Sequence, residues 1–270
     1  MKYFDENGRR IPTDGMRVFA KVPSHYYQIS PQVIDYSRIL DRSKKCGFSP
    51  AGVTAEEFKS RAGALLEKLR SSTAYGELLN GAHIPFIYKR DAVKIDLGED
   101  LENNLLPGLK RSFNDRYPES HFKAILQSNS ELKGNISLHP DSRYEQFVGA
   151  SETSSVVGWY FPQALQEFDV ESQRNQMKLL PAGEGFNLCL SGGMEMCAAL
   201  AGSPELLINE DHYAPILCLS SYVHRDDRLV LLLKSYGPHM EFWCMTQMLT
   251  TDIKQVSEQW AGGVTIFEAD

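Results

Sequence analysis

No stretch of this chain approaches the ~20 consecutive apolar residues that a membrane-spanning helix needs. The mean hydropathy of −0.33 agrees with that lack. Positive charge is also scarce: 28 Lys and Arg stand against 35 Asp and Glu, giving a net charge of −7. That balance argues against broad nucleic-acid binding, which needs a basic surface. Low-complexity tracts and internal repeats are missing. With 42% hydrophobic and 23% charged residues among 270, a disordered chain, a collagen and a coiled-coil rod are excluded. A chain of this length buries a sizeable core without staples.

Cysteine is sparse and unpaired in pattern. The five cysteines, Cys46, Cys189, Cys197, Cys218 and Cys244, are odd in number and form no CxxC. Most sit in apolar surroundings such as Leu188-Cys189-Leu190, so they read as small buried hydrophobes in a reducing compartment. The first ten residues carry charge where a secretory leader is apolar, and the expected location is the cytoplasm.

Catalytic motifs are lacking as well. There is no GxxxxGK[ST] loop, no GxSxG elbow, and no HExxH or HxH pair. Gly183-Glu184-Gly185 opens like a dinucleotide fingerprint, but Leu188 occupies the place of the third glycine. Cys197 with His212 or His224 is a pairing that any chain with this many cysteines and histidines offers. His224-Arg225-Asp226 and His139-Pro140-Asp141 echo known triplets without their required neighbours. No cofactor and no metal site is expected.

What is present is a sequence of elements. A helix is expected from Pro31 to Lys45, stopped by Gly47. Thr54 and Glu57 have capping-box spacing, and Phe58, Ala62, Leu65, Leu66 and Leu69 follow on one face of a second helix. His83–Tyr88 and the alternating Ala92–Leu97 read as strands, with Pro85 pushing the first to an edge. Met16–Val22 reads as an extended arm, and Glu119–Leu126 as a helix begun by Pro118. Ile136–Leu138 has strand character. Pro215–Leu219, Leu229–Leu233 and Met240–Met245 form an antiparallel meander, and His224–Asp227 is a turn within it. Met194–Leu200 and Pro204–Ile208 are short helices. Thr251–Trp260 is a closing helix stopped by Gly262-Gly263.

Cys46-Gly47-Phe48 before the capped helix, His83-Ile84-Pro85-Phe86, and the tail Ser235–Cys244 resemble an uncharacterised bacterial family of unknown function. The resemblance is patchy and leaves out the middle third. It implies a layout and carries no functional residue.

The class expected is α+β: a helical N-terminal portion, then a mainly antiparallel sheet with helices packed on one face. A loose boundary near residue 130 divides residues 1–130 from 131–270, unless the chain forms one domain. For function, two classes stand. The first is a non-enzymatic binding or interaction protein, with a protein partner or a small anionic ligand. The alternative is a hydrolase or transferase whose residues converge only in three dimensions. A pocket with convergent polar groups and shifted acidities points to the enzyme, a flat apolar patch to a partner surface. One anion-binding candidate follows from local chemistry. Ser191, Gly192 and Gly193 precede a helix start, where unpaired N–H groups attract anions. Against it, Ser191 reads as an ordinary N-cap, and Glu195 already complements the helix dipole.

Overall fold

The computed structural model describes residues 2–13, 27–90, 96–127, 130–208, 213–246 and 259–269. The first helix, α1 (Tyr36–Lys45), begins where the Asp35 side chain accepts from the Arg38 N–H at 3.0 Å. It therefore starts later than the periodicity suggests, because the carboxylate caps it and residues 31–35 stay outside. Helix α2 (Ala55–Ser71) is capped as its spacing predicts: Thr54 Oγ1 accepts from the Glu57 N–H at 3.1 Å. Phe58, Ala62, Leu65 and Leu69 form its buried face. Strand β1 (Ile84–Tyr88) follows a 3-10 turn and lies at a sheet edge, a position that tolerates Pro85.

A compound helix comes next. Asp96 caps α3 (Leu97–Asp100), which widens into a π-helical turn, Leu101–Leu105, and continues as α4 (Leu106–Arg116). The strand expected over Ala92–Leu97 lies largely outside the described residues, and Leu97 itself opens α3. The helix expected over Glu119–Leu126 is instead β2 (Phe122–Leu126), paired in parallel with a strand more than a hundred residues later. Long-range pairing overrides a local pattern that reads either way.

The remaining elements are β3 (Ile136–Leu138), α5 (Tyr144–Thr153), β4 (Val156–Gln166), α6 (Val170–Lys178), β5 (Phe186–Leu190), α7 (Gly193–Gly202), β6 (Ile216–Cys218), β7 (Tyr222–His224), β8 (Leu229–Tyr236), β9 (His239–Thr246) and β10 (Trp260–Glu268). The chain is α+β. Eight strands form one mixed, mainly antiparallel sheet in the order β1-β4-β10-β6-β8-β9-β2, with β5 also pairing β10. The β6–β8–β9 succession is antiparallel as the runs predict. Between them, His224 is not in a turn: it ends β7, which pairs with β3 in a separate two-stranded sheet. Residues 251–258 of the expected closing helix lie outside the described residues, as does the Met16–Val22 arm. Trp260 opens β10, and Gly262-Gly263 sit within that strand at a shift of register.

Strand β4 shows how the sheet is covered. Val157, Trp159 and Phe161 enter one apolar cluster with the inner face of α2. Val156 and Tyr160 enter another with α4 and α7. The helices thus lie on both faces of the sheet rather than one. Helix α7 is buried along its entire length. It packs against α1, α4, β1 and the π turn, and so supports every wall of the pocket described next. Among the described residues no helix is long and apolar enough to cross a membrane.

Candidate functional site

Three separated segments converge on a cavity of about 320 Å³. The C-terminus of α1 supplies Cys46, Gly47 and Phe48, the exit of β1 supplies Tyr88, Lys89 and Arg90, and the helix from Asp100 to Arg111 closes the third side. The first two are tied together, since the Lys89 N–H donates to the Phe48 carbonyl at 2.9 Å. Gly108 lets α4 approach the loop: a Cβ there would stand 2.7 Å from the Phe48 ring and 2.9 Å from the Cys46 carbonyl. π-Helical turns recur at functional sites because they aim side chains a regular helix would place elsewhere. Here the turn presents Asn103 and Asn104 to the cavity.

The floor is polar and buried. Arg90 is 7% exposed and Asp100 is 5% exposed. Arg90 Nη1 stands 3.1 Å from Glu152 Oε1, and Arg90 Nε stands 3.8 Å from Asp100 Oδ2. Asn104 Nδ2 donates to Asp100 Oδ1 at 2.8 Å. Lys89 and Arg111 form an exposed rim, with Arg111 Nη1 held on the Lys45 carbonyl at 2.8 Å. Among the described residues, the lining therefore carries three cations and one carboxylate. Burial pushes the Cys46 thiol up, opposed by the nearby Arg111 charge. Burial also raises the Tyr88 phenol, with the Asp100 charge adding to it. Both groups are thus held in their neutral forms.

The segment singled out from sequence lies elsewhere, at the start of α7. Ser191, Gly192 and Gly193 are all buried. The Gly192 N–H donates to Glu195 Oε1 at 2.6 Å, and the Met194 N–H donates to the Tyr144 hydroxyl at 3.0 Å. Tyr144 in turn donates to Glu195 Oε2. The helix start is thus filled by the chain's own carboxyl and phenol. Gly192 is required here, because a Cβ would come within 2.4 Å of the Tyr144 ring. Desolvation raises the Glu195 carboxyl to about 8, against the opposing effect of its hydrogen bonds to Tyr144 and Gly192. An anion there would also need a cation close by, and Arg228 pairs with Asp226 on the surface.

The other sequence candidates are dispersed. All five cysteines are free and buried. Cys197 lies within α7, where burial raises its thiol strongly. His224 Nδ1 accepts from the Asp226 N–H at 3.0 Å, and its Nε2 lies 3.1 Å from the Glu131 carbonyl, so backbone groups hold both ring nitrogens. His212 lies outside the described residues. Gly183-Glu184-Gly185 is a turn before β5, with Gly185 at φ +80°. Among the described residues no group of three or more His, Cys, Asp or Glu could hold a metal ion.

Sequence reasoning missed Arg90, Asp100, Asn103, Asn104 and Arg111. They fall in or beside a polar stretch with no motif, and only packing brings them together. A usable signal was present in Asp96 three residues before Glu99, which marks a cap, followed by a helical run interrupted by Asn103-Asn104. No family model, no curated protein and no solved structure matches this chain.

Proposed function

We propose that this chain is a non-enzymatic binding protein whose ligand is a small anion seated between α1, β1 and α4. The observation that carries this reading is the convergence of Lys89, Arg90 and Arg111 on a cavity of about 320 Å³. That volume lies at the small end for ligand pockets, roughly 300 Å³ and upward. Side chains of Asn103 and Asn104 add neutral donors and acceptors, which fix orientation. Binding is favoured over catalysis by the acidities at the site: the thiol and the phenol that line it are both pushed towards neutral forms. Glu195, the carboxyl raised to about 8, is fully enclosed beside Tyr144 and does not line the cavity. Five buried free thiols support a reducing compartment, the cytoplasm, as the place of action.

The test is calorimetric titration with succinate and with inorganic phosphate at low ionic strength. Saturable binding is expected, weakened at least tenfold in Arg111→Glu and little changed in Lys110→Glu, on the same helix but outside this cavity. Raising the salt should also weaken it, since the screening length falls from roughly 30 Å at 0.01 M to about 8 Å at 0.15 M. Absence of saturable heat with both anions, or full retention in Arg111→Glu, refutes the reading.

A further inference from the structure

A second cavity, of about 470 Å³, adjoins the first. The two share Asn103 and Pro107, which form an exposed ridge along the compound helix. Asn104, Gly108 and Arg111 line the polar cavity on one side of that ridge, and Leu106 and Lys110 line the second cavity on the other. The chemistry changes across it. Phe122, Ala124 and Leu126 alternate along β2 and so share one of its faces, and the parallel register sets Phe242 beside Ala124. Leu132 adds to this apolar wall. Ala124 and Leu126 are exposed, Leu126 by 40%, on the last strand of the sheet order. The small Ala124 leaves room between two larger side chains. Charge is also ordered along the second cavity. Lys110 stands at the same end of the helix as Arg111, and Glu102 lies eight residues earlier, roughly 12 Å away along a regular helix.

We infer that the anion held between α1, β1 and α4 carries an apolar tail: the ligand is a monocarboxylate with a hydrocarbon chain of medium length, spanning both cavities. Its carboxylate meets the exposed Arg111 and Lys89 at the rim of the polar cavity. Its chain crosses the Asn103–Pro107 ridge and lies along Phe122, Ala124 and Leu126, with Phe242 beneath. The reverse orientation would bring the carboxylate towards Glu102, a like charge, which disfavours it. Length agrees with this placement. Phe122 to Leu126 spans four strand steps, roughly 13 Å. A zigzag hydrocarbon advances about 1.25 Å per C–C bond, so a chain of about ten carbons matches that wall. The volume of the second cavity falls within the roughly 300–1,000 Å³ of ligand pockets. Covering Leu126 also removes an exposed apolar side chain from an edge strand, where such exposure is a liability. This inference rests on the anion-binding reading and names the ligand class for it.

The experiment is calorimetric titration of the full chain with butanoate, hexanoate, octanoate and 1-octanol, beside inorganic phosphate. A fully buried methylene tightens binding roughly fourfold. The second cavity is open on one side, so octanoate is expected to bind at least tenfold, rather than a few hundredfold, more tightly than butanoate, with hexanoate between them. Octanol lacks the carboxylate and should bind at least tenfold more weakly than octanoate. In Ala124→Glu, which places a carboxylate on the wall of the tail, the preference for octanoate over butanoate should fall to within about twofold. The ligand-side comparison stands by itself if that variant does not fold. Phosphate binding with no dependence on chain length overturns the tail and leaves the anion site intact. Octanol binding as tightly as octanoate, or octanoate binding fully kept in Arg111→Glu, overturns the spanning ligand. Failure of phosphate and of every carboxylate to bind overturns both readings.

Discussion

Replacing Glu195 by Gln should change how stability depends on pH. In the fold this carboxyl is fully buried and raised to about 8, with desolvation as the leading cause. In the unfolded chain it takes an ordinary glutamate value of about 4.3. Below the lower value the group is protonated in both states, and its burial carries no ionisation penalty. Between the two values the unfolded chain loses a proton that the folded chain keeps. Stability then falls by about 1.4 kcal/mol per pH unit, levelling off above pH 8. From pH 5 to pH 8 the loss from this group is about 4 kcal/mol. Glutamine is close in shape. Its Oε1 can still accept from the Gly192 N–H, and its amide can donate to the Tyr144 oxygen. Urea unfolding of wild type and Glu195→Gln at pH 5, 7 and 8 gives the difference in stability at each pH, in which other titrating groups cancel. That difference should shift towards the variant by about 4 kcal/mol from the lowest to the highest pH. A difference that stays flat would mean the carboxyl is ionised inside the fold, and the reasoning fails.

The five thiols are free and buried, so a thiol reagent should label native protein slowly and unfolded protein fully. Rapid labelling of one cysteine in the native state would contradict that burial. Leu65 is 2% exposed on the α2 face packed against β4 and β5. Leu65→Asp should destabilise by about 3 kcal/mol or more, as a charge placed in an apolar interface does. Lys68→Asp, which removes only an exposed bond to the Gly185 carbonyl, should stay within about 1 kcal/mol of wild type. Equal melting temperatures for the two variants would show that the packed face is misassigned.

Locally determined features were readable from residues alone. Thr54 and Glu57 lie in one turn, so their spacing forecast the cap and with it the Phe58–Leu69 face of α2. The run Leu229–Leu233 is apolar throughout, as a strand covered on both faces requires, and every residue of it is buried. Pro85 forecast an edge strand, and among the described residues β1 pairs with β4 alone. Features that depend on distant partners were not readable. Phe122–Leu126 becomes a strand because β9 offers it a parallel edge, which no local pattern announces. Glu195 read only as a carboxylate complementing the α7 dipole. Its burial follows from the aromatic rings of Tyr144, Tyr160 and Tyr222 arriving from other elements. The pocket has the same origin. Arg90, Asp100 and Arg111 carry ordinary polar character one by one, and only the common support of α7 beneath β1, the π turn and α4 makes them neighbours.

The most direct measurement of the central claim is a titration of isotope-labelled protein with succinate and with inorganic phosphate, followed by amide NMR. Saturable shifts are predicted for the side-chain amides of Asn103 and Asn104 and for the backbone N–H groups of Gly47 and Gly108, which line the cavity. Amides of α2, on the opposite face of the sheet, should stay in place. Resonances around the cavity that do not move with either compound at millimolar concentration, or saturable shifts centred instead on Gly192 to Met194, would contradict the account.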